Sequence, residues 1–452
     1  MVSEAQVEDV QRVTIAALTR RHPLADGEVA LLGAHASVTG AMTRVELGGQ
    51  RVLVDCGKPQ GAEAFEWELE PSALDVDAVV LTHAHLDHIG ALPALLERGF
   101  SGPIYGTAPT LAIARLVLSD ALGLESATTS DTERVLAALK QRGRALRSGQ
   151  RAALGDVELV LHEAGHMLGS ASVELTSAKS RVICSGDLGR PGAPLSRDFN
   201  TSWAPGRPVD LVVMESTYGD EEHPHGHDEL ELELERIMLE AQKRGGSVLV
   251  PAFAIGRAQT LLFHLNRLVQ AGRIPALPVA LDSPLGLRVV HSYGEFAHLI
   301  DRERLEAMDR GEAPLDFEGL YAMDAAPQTP RLSMMPGPML ILAGNGMCTG
   351  GRIVSHLRRL LPIDQTTVLF VSYQAEGTPG RAIQRAATRG GRVWLDHEEV
   401  RVRAHVETLG GLSAHADRRE LARWLGAIPD VQKVALHHGE PRAQRSFAAW
   451  YG

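Results

Sequence analysis

The chain reads as an α/β protein in two units, the second inserted into the first. Three observations predict this. Short β-branched runs alternate with helical periodicities along most of the 452 residues. Polar residues that favour metals gather where such runs end. A second strand–helix alternation begins before the first pattern has finished, and the chain then returns to the first.

The length exceeds what one ordinary core accommodates. At 44% hydrophobic and 22% charged, the composition is that of a soluble globular protein, and 45 Gly with 24 Pro imply many turns. A net charge of -11 argues against a broad basic surface gripping nucleic acid, but leaves room for a narrow site where metal ions supply the positive charge. Cys56, Cys184 and Cys348 are far apart and form no CxxC pair, so neither a disulfide framework nor a thiolate zinc site is indicated and a reducing cytoplasm fits best. Acids at Glu4, Glu8 and Asp9 exclude a signal peptide, and no run is long enough to span a membrane. Val7, Val10, Ile15 and Leu18 have a loosely helical spacing that His22-Pro23 ends.

Val29 to Leu32 is expected as a strand, and Thr43 to Leu47, Gly48-Gly49 and Arg51 to Val54 as a hairpin delivering Asp55 at a strand end. Asp55 either braces a neighbouring site or merely forms a turn before Gly57. Val76 to Leu81 is the strand that feeds Thr82-His83-Ala-His85-Leu-Asp87-His88. Three imidazoles and a carboxylate so close together are too polar for packing. With no thiolate they suit zinc, and also manganese or iron, at a site with open positions. His83 and His85 point to one side of an extended segment while Asp87 and His88 lie on the turn beyond, so the stretch can serve two ions.

Ala91 to Arg98 is expected as a short helix and Thr107 to Arg144 as mostly helical, with Thr107 and Asp131 as caps. After a strand at Val157 to Leu161, His166 sits between Gly165 and Gly169 as a further nitrogen ligand, with His162 the weaker candidate. Ser170 to Leu175 and Arg181 to Cys184 form a hairpin leading to Asp187, a carboxylate placed to bridge two ions. Leu211 to Met214 is a strand ending in Glu215. Then follow helices at Asp228 to Arg244 and Gly256 to Ala271, strands at Ser247 to Val250 and Val279 to Asp282, and a repeat of that pattern from Met339 to Val371, the signature of a parallel sheet. Gly311 to Pro338 reads as a long surface excursion. Gly344 to Gly351 joins a strand to a helix, and its backbone amides either hold a phosphate or only make a tight turn. Arg257, Arg352 and Arg381 open helices, where they meet phosphates or stay solvated. His223, His225 and His227 read as a solvated turn rather than a metal site.

In order along the chain, Asp55, the His83-His85-Asp87-His88 loop, His166 and Asp187 match the motifs of the metallo-β-lactamase fold, an αββα sandwich. Glu215, the Ser413-Ala-His415-Ala-Asp417 stretch and His437-His438-Gly439 resemble the three further motifs of the β-CASP subfamily, whose members act on nucleic acids and carry an inserted α/β domain. A histidine at the third motif is the pattern of the RNA-processing branch, and the chain looks similar to compact bacterial relatives of the pre-mRNA 3′-end cleavage nuclease. One departure is the first turn, where relatives have a glutamate near position 37 and this chain has Ser37 with His35 nearby.

The resemblance implies an extension at 1–27, a first domain at 28–207 resumed at 384–452, and an insert at 208–383. It implies two Zn2+ per chain, with Mn2+ as a substitute: His83, His85 and His166 on one, Asp87, His88 and His438 on the other, and Asp187 bridging. Adjacent His437 is equivalent by residue type; the family register selects His438. The reaction implied is hydroxide attack on an RNA phosphodiester, with His415 as general acid oriented by Glu215, and with Asp87 and Asp55 supporting the centre. Gly346, Met347, Cys348, Thr349, Gly350, Tyr373 and Ser413 are expected to line the substrate path. The partner expected is single-stranded RNA, since a narrow groove excludes a duplex; a homodimer is allowed. The competing readings are a small-molecule hydrolase of the same fold, acting on a thioester, lactone or lactam, and an inactive RNA-binding scaffold.

Overall fold

The computed structural model describes residues 14–60, 67–125, 127–223, 227–300, 315, 319–323, 332, 338–372, 374 and 376–452. The chain divides into two compact units, Met1–Glu222 with His415–Gly452, and His223–Ala414.

The first unit is built on two seven-stranded sheets. One runs in the order Arg21–Leu24, Gly27–Gly33, Met42–Leu47, Gln50–Val54, Ala78–Val80, Ile104–Gly106 and Gly143–Ala145. Its first four strands are antiparallel neighbours and the rest are added in parallel. The other runs Thr14–Ala16, Lys433–His437, Leu211–Glu215, Arg181–Cys184, Ala171–Thr176, Val157–Glu163 and Arg151–Leu154. Val29, Val45, Val52 and Val80 of one sheet share a buried core with Leu159, Val173, Val182 and Val213 of the other, so the sheets pack face to face. Helix Arg418–Gly426 covers the outer face of the second sheet, with Trp424 and Leu421 packed on Val212, Met214 and Leu436. It begins with a capping box between Asp417 and Glu420. This is the expected αββα sandwich.

In the hairpin between Met42–Leu47 and Gln50–Val54, Gly48 and Gly49 have φ of 55° and 80°, the positive values that a two-residue turn requires. Parallel pairing has a consequence for function. Ala78–Val80, Arg181–Cys184, Leu211–Glu215 and Lys433–His437 all end at, or a few residues before, a candidate site residue: His83, Asp187, Glu215 and His438.

The second unit holds a six-stranded, wholly parallel sheet in the order Leu320–Ala322, Val279–Asp282, Leu340–Ala343, Val248–Pro251, Thr367–Phe370 and His405–Thr408. Its inner strands are continuous apolar runs, as burial on both faces demands. An antiparallel hairpin, Gly391–Leu395 with Glu398–Val402, adds to the same core.

Several expectations require correction. Ile15 is not helical: Thr14–Ala16 is a strand paired in parallel with Lys433–His437, and Arg21–Leu24 pairs with Gly27–Gly33, so much of 1–27 is part of the sandwich; residues 1–13 lie outside the described residues. Leu211–Glu215 belongs to the first unit, between Arg181–Cys184 and Lys433–His437, and the compact second unit begins at His223. By packing, the compact second unit runs on to Ala414, because His405–Thr408 pairs with Thr367–Phe370. Thr128, not Asp131, caps Thr129–Arg142: its hydroxyl accepts the backbone N–H of Asp131. Most of 311–338 lies outside the described residues, but Leu320–Ala322 is an edge strand rather than a surface excursion. No helix among the described residues is long and apolar enough to cross a membrane.

Candidate metal centre

The histidine loop leaves the strand Ala78–Val80 through Leu81 and Thr82, and its second half turns into the short helix Leu86–Ile89. His83 is fully buried and His88 nearly so. His83 Nε2 lies 3.1 Å from His85 Nδ1, and His166 Nε2 lies 3.2 Å from the same atom, so three imidazoles converge. Gly165, with φ of 73°, turns the chain that presents His166.

Asp187 joins this group to a second one. Its Oδ2 is 3.5 Å from His83 Nε2 and 3.7 Å from His166 Nε2. Its Oδ1 is 3.3 Å from His88 Nε2 and 3.6 Å from His438 Nδ1. Asp87 Oδ2 lies 3.5 Å from His438 Nε2. One oxygen of Asp187 thus serves each set, His83, His85 and His166 on one side and Asp87, His88 and His438 on the other.

The cluster is held from behind by Asp55. Its Oδ1 accepts the Thr82 N–H at 2.8 Å, and its Oδ2 accepts the Thr82 hydroxyl at 2.7 Å and faces His88 Nδ1 at 2.7 Å. An imidazole that donates Nδ1–H to a carboxylate turns Nε2 outward as a ligand. Asp55 and His438 have φ of 61° and 48°, a region non-glycine residues rarely enter. Backbone bonds hold both there: Asp55 N donates to Val80 O and His438 N to Ala34 O, at 2.9 and 2.8 Å.

Electrostatics fit a cation. Burial, together with the other imidazoles, holds His83 and His166 well below the usual histidine range, and burial brings His85 down to about 4, so all three are neutral with lone pairs available. Burial disfavours ionisation of Asp187 and Asp87, yet His438 and His88 beside them outweigh it; Asp187 stays well below the carboxylate range and Asp87 falls to about 2. Burial opposes the charged form of His88, but Asp187 and Asp55 overcome it and raise its pKa. His88 Nε2, His438 Nε2 and Asp187 Oδ1 are buried without a hydrogen bond. Such atoms are costly unless a ligand satisfies them. A nitrogen- and oxygen-lined, thiolate-free pair of donor sets suits divalent cations.

Glu215 Oε1 accepts the Leu188 N–H at 2.7 Å and lies 3.2 Å from His415 Nδ1. The His415 ring lies beside that of His166, with centroids 4.5 Å apart, and its side chain is 15% exposed against 1% for His166. His415 therefore stands on the side of the cluster that solvent reaches.

The other candidates fall elsewhere. His437 Nε2 faces Gly33 O at 3.0 Å, and burial lowers its pKa to about 3, so this ring is a neutral packing group, distinct from His438 in the cluster. His162 is paired with Glu174 at 2.6 Å. Gly346, Met347, Cys348, Thr349, Gly350 and Ser413 are in the second unit, outside the cluster, and Tyr373 and His225 lie outside the described residues. Two amides of the glycine loop are already engaged: Met347 N donates to Asn345 Oδ1 and Cys348 N to Asn345 O. Arg352 is neither solvated nor available, since it pairs with buried Asp282 at 2.6 Å. Thr82 and Thr217 are additions that residue types alone did not suggest. Thr217 Oγ1 lies 3.2 Å from His438 Nδ1, and the one signal for Thr82 is its place directly before His83.

Residues 38–245 match the metallo-beta-lactamase superfamily, residues 258–383 the Beta-Casp domain, and residues 399–451 the Zn-dependent metallo-hydrolase RNA specificity domain. Ribonuclease TTHA0252 of Thermus thermophilus is 38% identical over 414 residues, covering 90% of this chain and 92% of that protein. The chain belongs to the β-CASP branch of the metallo-β-lactamase superfamily. The transcription termination factor FttA of Methanocaldococcus jannaschii is 32% identical over 93% of this chain and 68% of its own length. FttA of Pyrococcus abyssi is 33% identical over 84% and 60%. A crystal structure of a protein of unknown function from Enterococcus faecalis V583 shares the β-CASP chain's fold, with a TM-score of 0.55 at 13% identity over 93% of this chain and 96% of that one.

Proposed function

We infer that this chain is a metal-dependent ribonuclease that hydrolyses RNA phosphodiester bonds in RNA processing or degradation. The observation that carries the reading is Asp187, one oxygen turned to each of two donor sets, in a chain that aligns with a ribonuclease over nearly its whole length. His83, His85 and His166 would hold one zinc ion and Asp87, His88 and His438 a second, with Mn2+ as a substitute. Such a pair, when bound, supplies a nucleophilic hydroxide at neutral pH and neutralises the scissile phosphate.

The chain's own groups supply the rest. Asp55 holds the His88 ring so that Nε2 faces inward. Glu215, with Oε1 3.2 Å from His415 Nδ1, orients that ring, and His415 delivers a proton to the departing 3′ oxygen. The products would carry 5′ phosphate and 3′ hydroxyl.

The test is incubation of zinc-loaded protein with end-labelled single-stranded RNA and matched DNA, beside Asp87→Ala and His415→Ala variants. RNA products that vanish with Asp87→Ala support the reading, and their lengths distinguish internal from terminal cutting. His415→Ala should retain both metals while slowing cleavage by about 10² to 10⁴-fold; undiminished cleavage would remove His415 from the acid role. Two bound metals with neither polymer cut would favour the small-molecule hydrolase instead.

A further inference from the structure

The second unit carries a charged face that the metal centre does not use. Helix Pro379–Arg389 presents Arg381, Arg385 and Arg389 at intervals of four residues, hence as one row with a rise of about 6 Å per step. With Arg392 at the start of the neighbouring hairpin, they line a groove of about 370 Å³ that also includes Ala382 and Ala386. The small side chains leave the groove open, and the arginine stems wall it.

The side chains of Arg381, Arg385 and Arg392 are 41%, 58% and 59% exposed. Glu376 Oε1 accepts from Arg381 Nε at 3.2 Å and from Arg385 Nη2 at 2.8 Å, and Glu399 pairs with Arg392 at 2.7 Å. Four guanidinium groups against two carboxylates leave this face at about +2, on a chain whose net charge is -11. Trp394 follows Arg392 by two residues on the same face of the hairpin, and its indole is 68% exposed. Arg401 stands directly across the ladder from Arg392, and Glu399 across from Trp394. On the opposite face Val393, Leu395, Val400 and Val402 enter the core, so Trp394 is not needed for packing.

An exposed aromatic ring set among charges lacks the contiguous apolar surface that a protein partner would bury. A cationic groove beside a single aromatic platform is instead what an unpaired nucleic acid strand uses, with phosphates on the arginines and a base on the ring. The four-residue arginine step is comparable with the separation of neighbouring phosphates along an extended strand.

We propose that Arg381, Arg385, Arg389, Arg392 and Trp394 form a second contact for single-stranded RNA, in addition to the metal centre. The proposal rests on the chain acting on RNA. Glu376 is the internal competitor: it occupies Arg381 and Arg385 until phosphate replaces it.

The test uses the full zinc-loaded chain in the His415→Ala background, where cleavage is slowed, and reads anisotropy of a fluorescein-labelled oligouridylate across a range of NaCl. The double change Arg385→Glu/Arg389→Glu should weaken binding by at least about tenfold and reduce the salt slope by about 0.7 for each phosphate that is no longer neutralised. Trp394→Ala should weaken it about tenfold with the slope unchanged. Glu376→Gln should tighten binding, a gain that misfolding cannot mimic. If all of these variants bind like their parent while the unmodified chain cuts RNA, the face is merely solvated and the proposal falls with the ribonuclease reading intact. If the unmodified chain neither binds nor cuts RNA, both fall. A dimer in sedimentation that the arginine changes dissociate, with RNA affinity unmoved, would assign the face to a second copy and overturn the proposal.

Discussion

The donor cluster of the first unit and the arginine row of the second arrange their charged residues in opposite ways. In the first, Asp187, His83 and His88 are 2%, 0% and 1% exposed and each is held by several neighbours. In the second, the arginines of Pro379–Arg389 lie at the surface, and two of them, Arg381 and Arg385, share the single carboxylate of Glu376. Buried charge is strongly coupled and geometrically fixed, whereas exposed charge is screened, adaptable and individually weak. The first arrangement suits chemistry on one bond, and the second suits a polymer whose register varies.

The contrast can be broken most sharply at Asp187. Asp187→Ala removes the oxygen turned to each donor set, so metal analysis should show loss from both, and RNA cleavage should fall by about four orders of magnitude or more. Loss of only one ion would mean that the two sets are independent.

Glu163 offers the next largest effect, on stability. Burial raises its pKa to about 7 from an ordinary value of 4.5, against the Gly165 N–H that it accepts at 3.2 Å. The folded state therefore holds this proton more tightly than the unfolded chain does. The stabilisation present below about pH 4.5 is lost as pH rises through 7, an effect on the order of 3 kcal/mol. Glu163→Gln should flatten thermal stability against pH across that window; an unchanged slope would show that the carboxyl is better solvated than its surroundings imply.

Asp55→Asn tests the support behind the cluster. It keeps the shape but weakens the hold on His88 Nδ1 and Thr82, so zinc affinity measured with a competing chelator should drop about 10- to 100-fold. The smallest change expected is Arg389→Ala, which should alter the urea midpoint by less than about 0.5 kcal/mol equivalent. A larger loss would mean that the arginine row supports the fold and is not a free surface.

The donor cluster was legible because each candidate ligand stands at or just after a short apolar strand, where a buried β run and a reactive side chain leave a joint trace in the sequence. His83, His85, Asp87 and His88 are neighbours on one turn, so their proximity needed no fold to be seen. The limits of the compact second unit were not legible. Leu211–Glu215 and His405–Thr408 are short apolar or mixed segments that could join either sheet, and only their parallel partners assign them. Thr14–Ala16 is similar: three residues carry no period, and the pairing with Lys433–His437 is made across almost the whole chain. Arg352 read as either a phosphate contact or a solvated residue at a helix start because nothing local announces buried Asp282 as its partner.

Residue chemistry and order by themselves determined the donor types, the absence of thiolate ligands, the alternation of strands and helices, and the motifs that mark a β-CASP chain. The tertiary structure decided which side chains meet. It set His438 in the cluster and His437 against Gly33 O, turned one oxygen of Asp187 to each donor set, and brought Asp55 behind His88. The physical reason is that ligand character is a property of a side chain, whereas ångström-scale convergence comes from strand pairing and core packing between distant segments. Those are long-range terms, and no local pattern in the chain carries them.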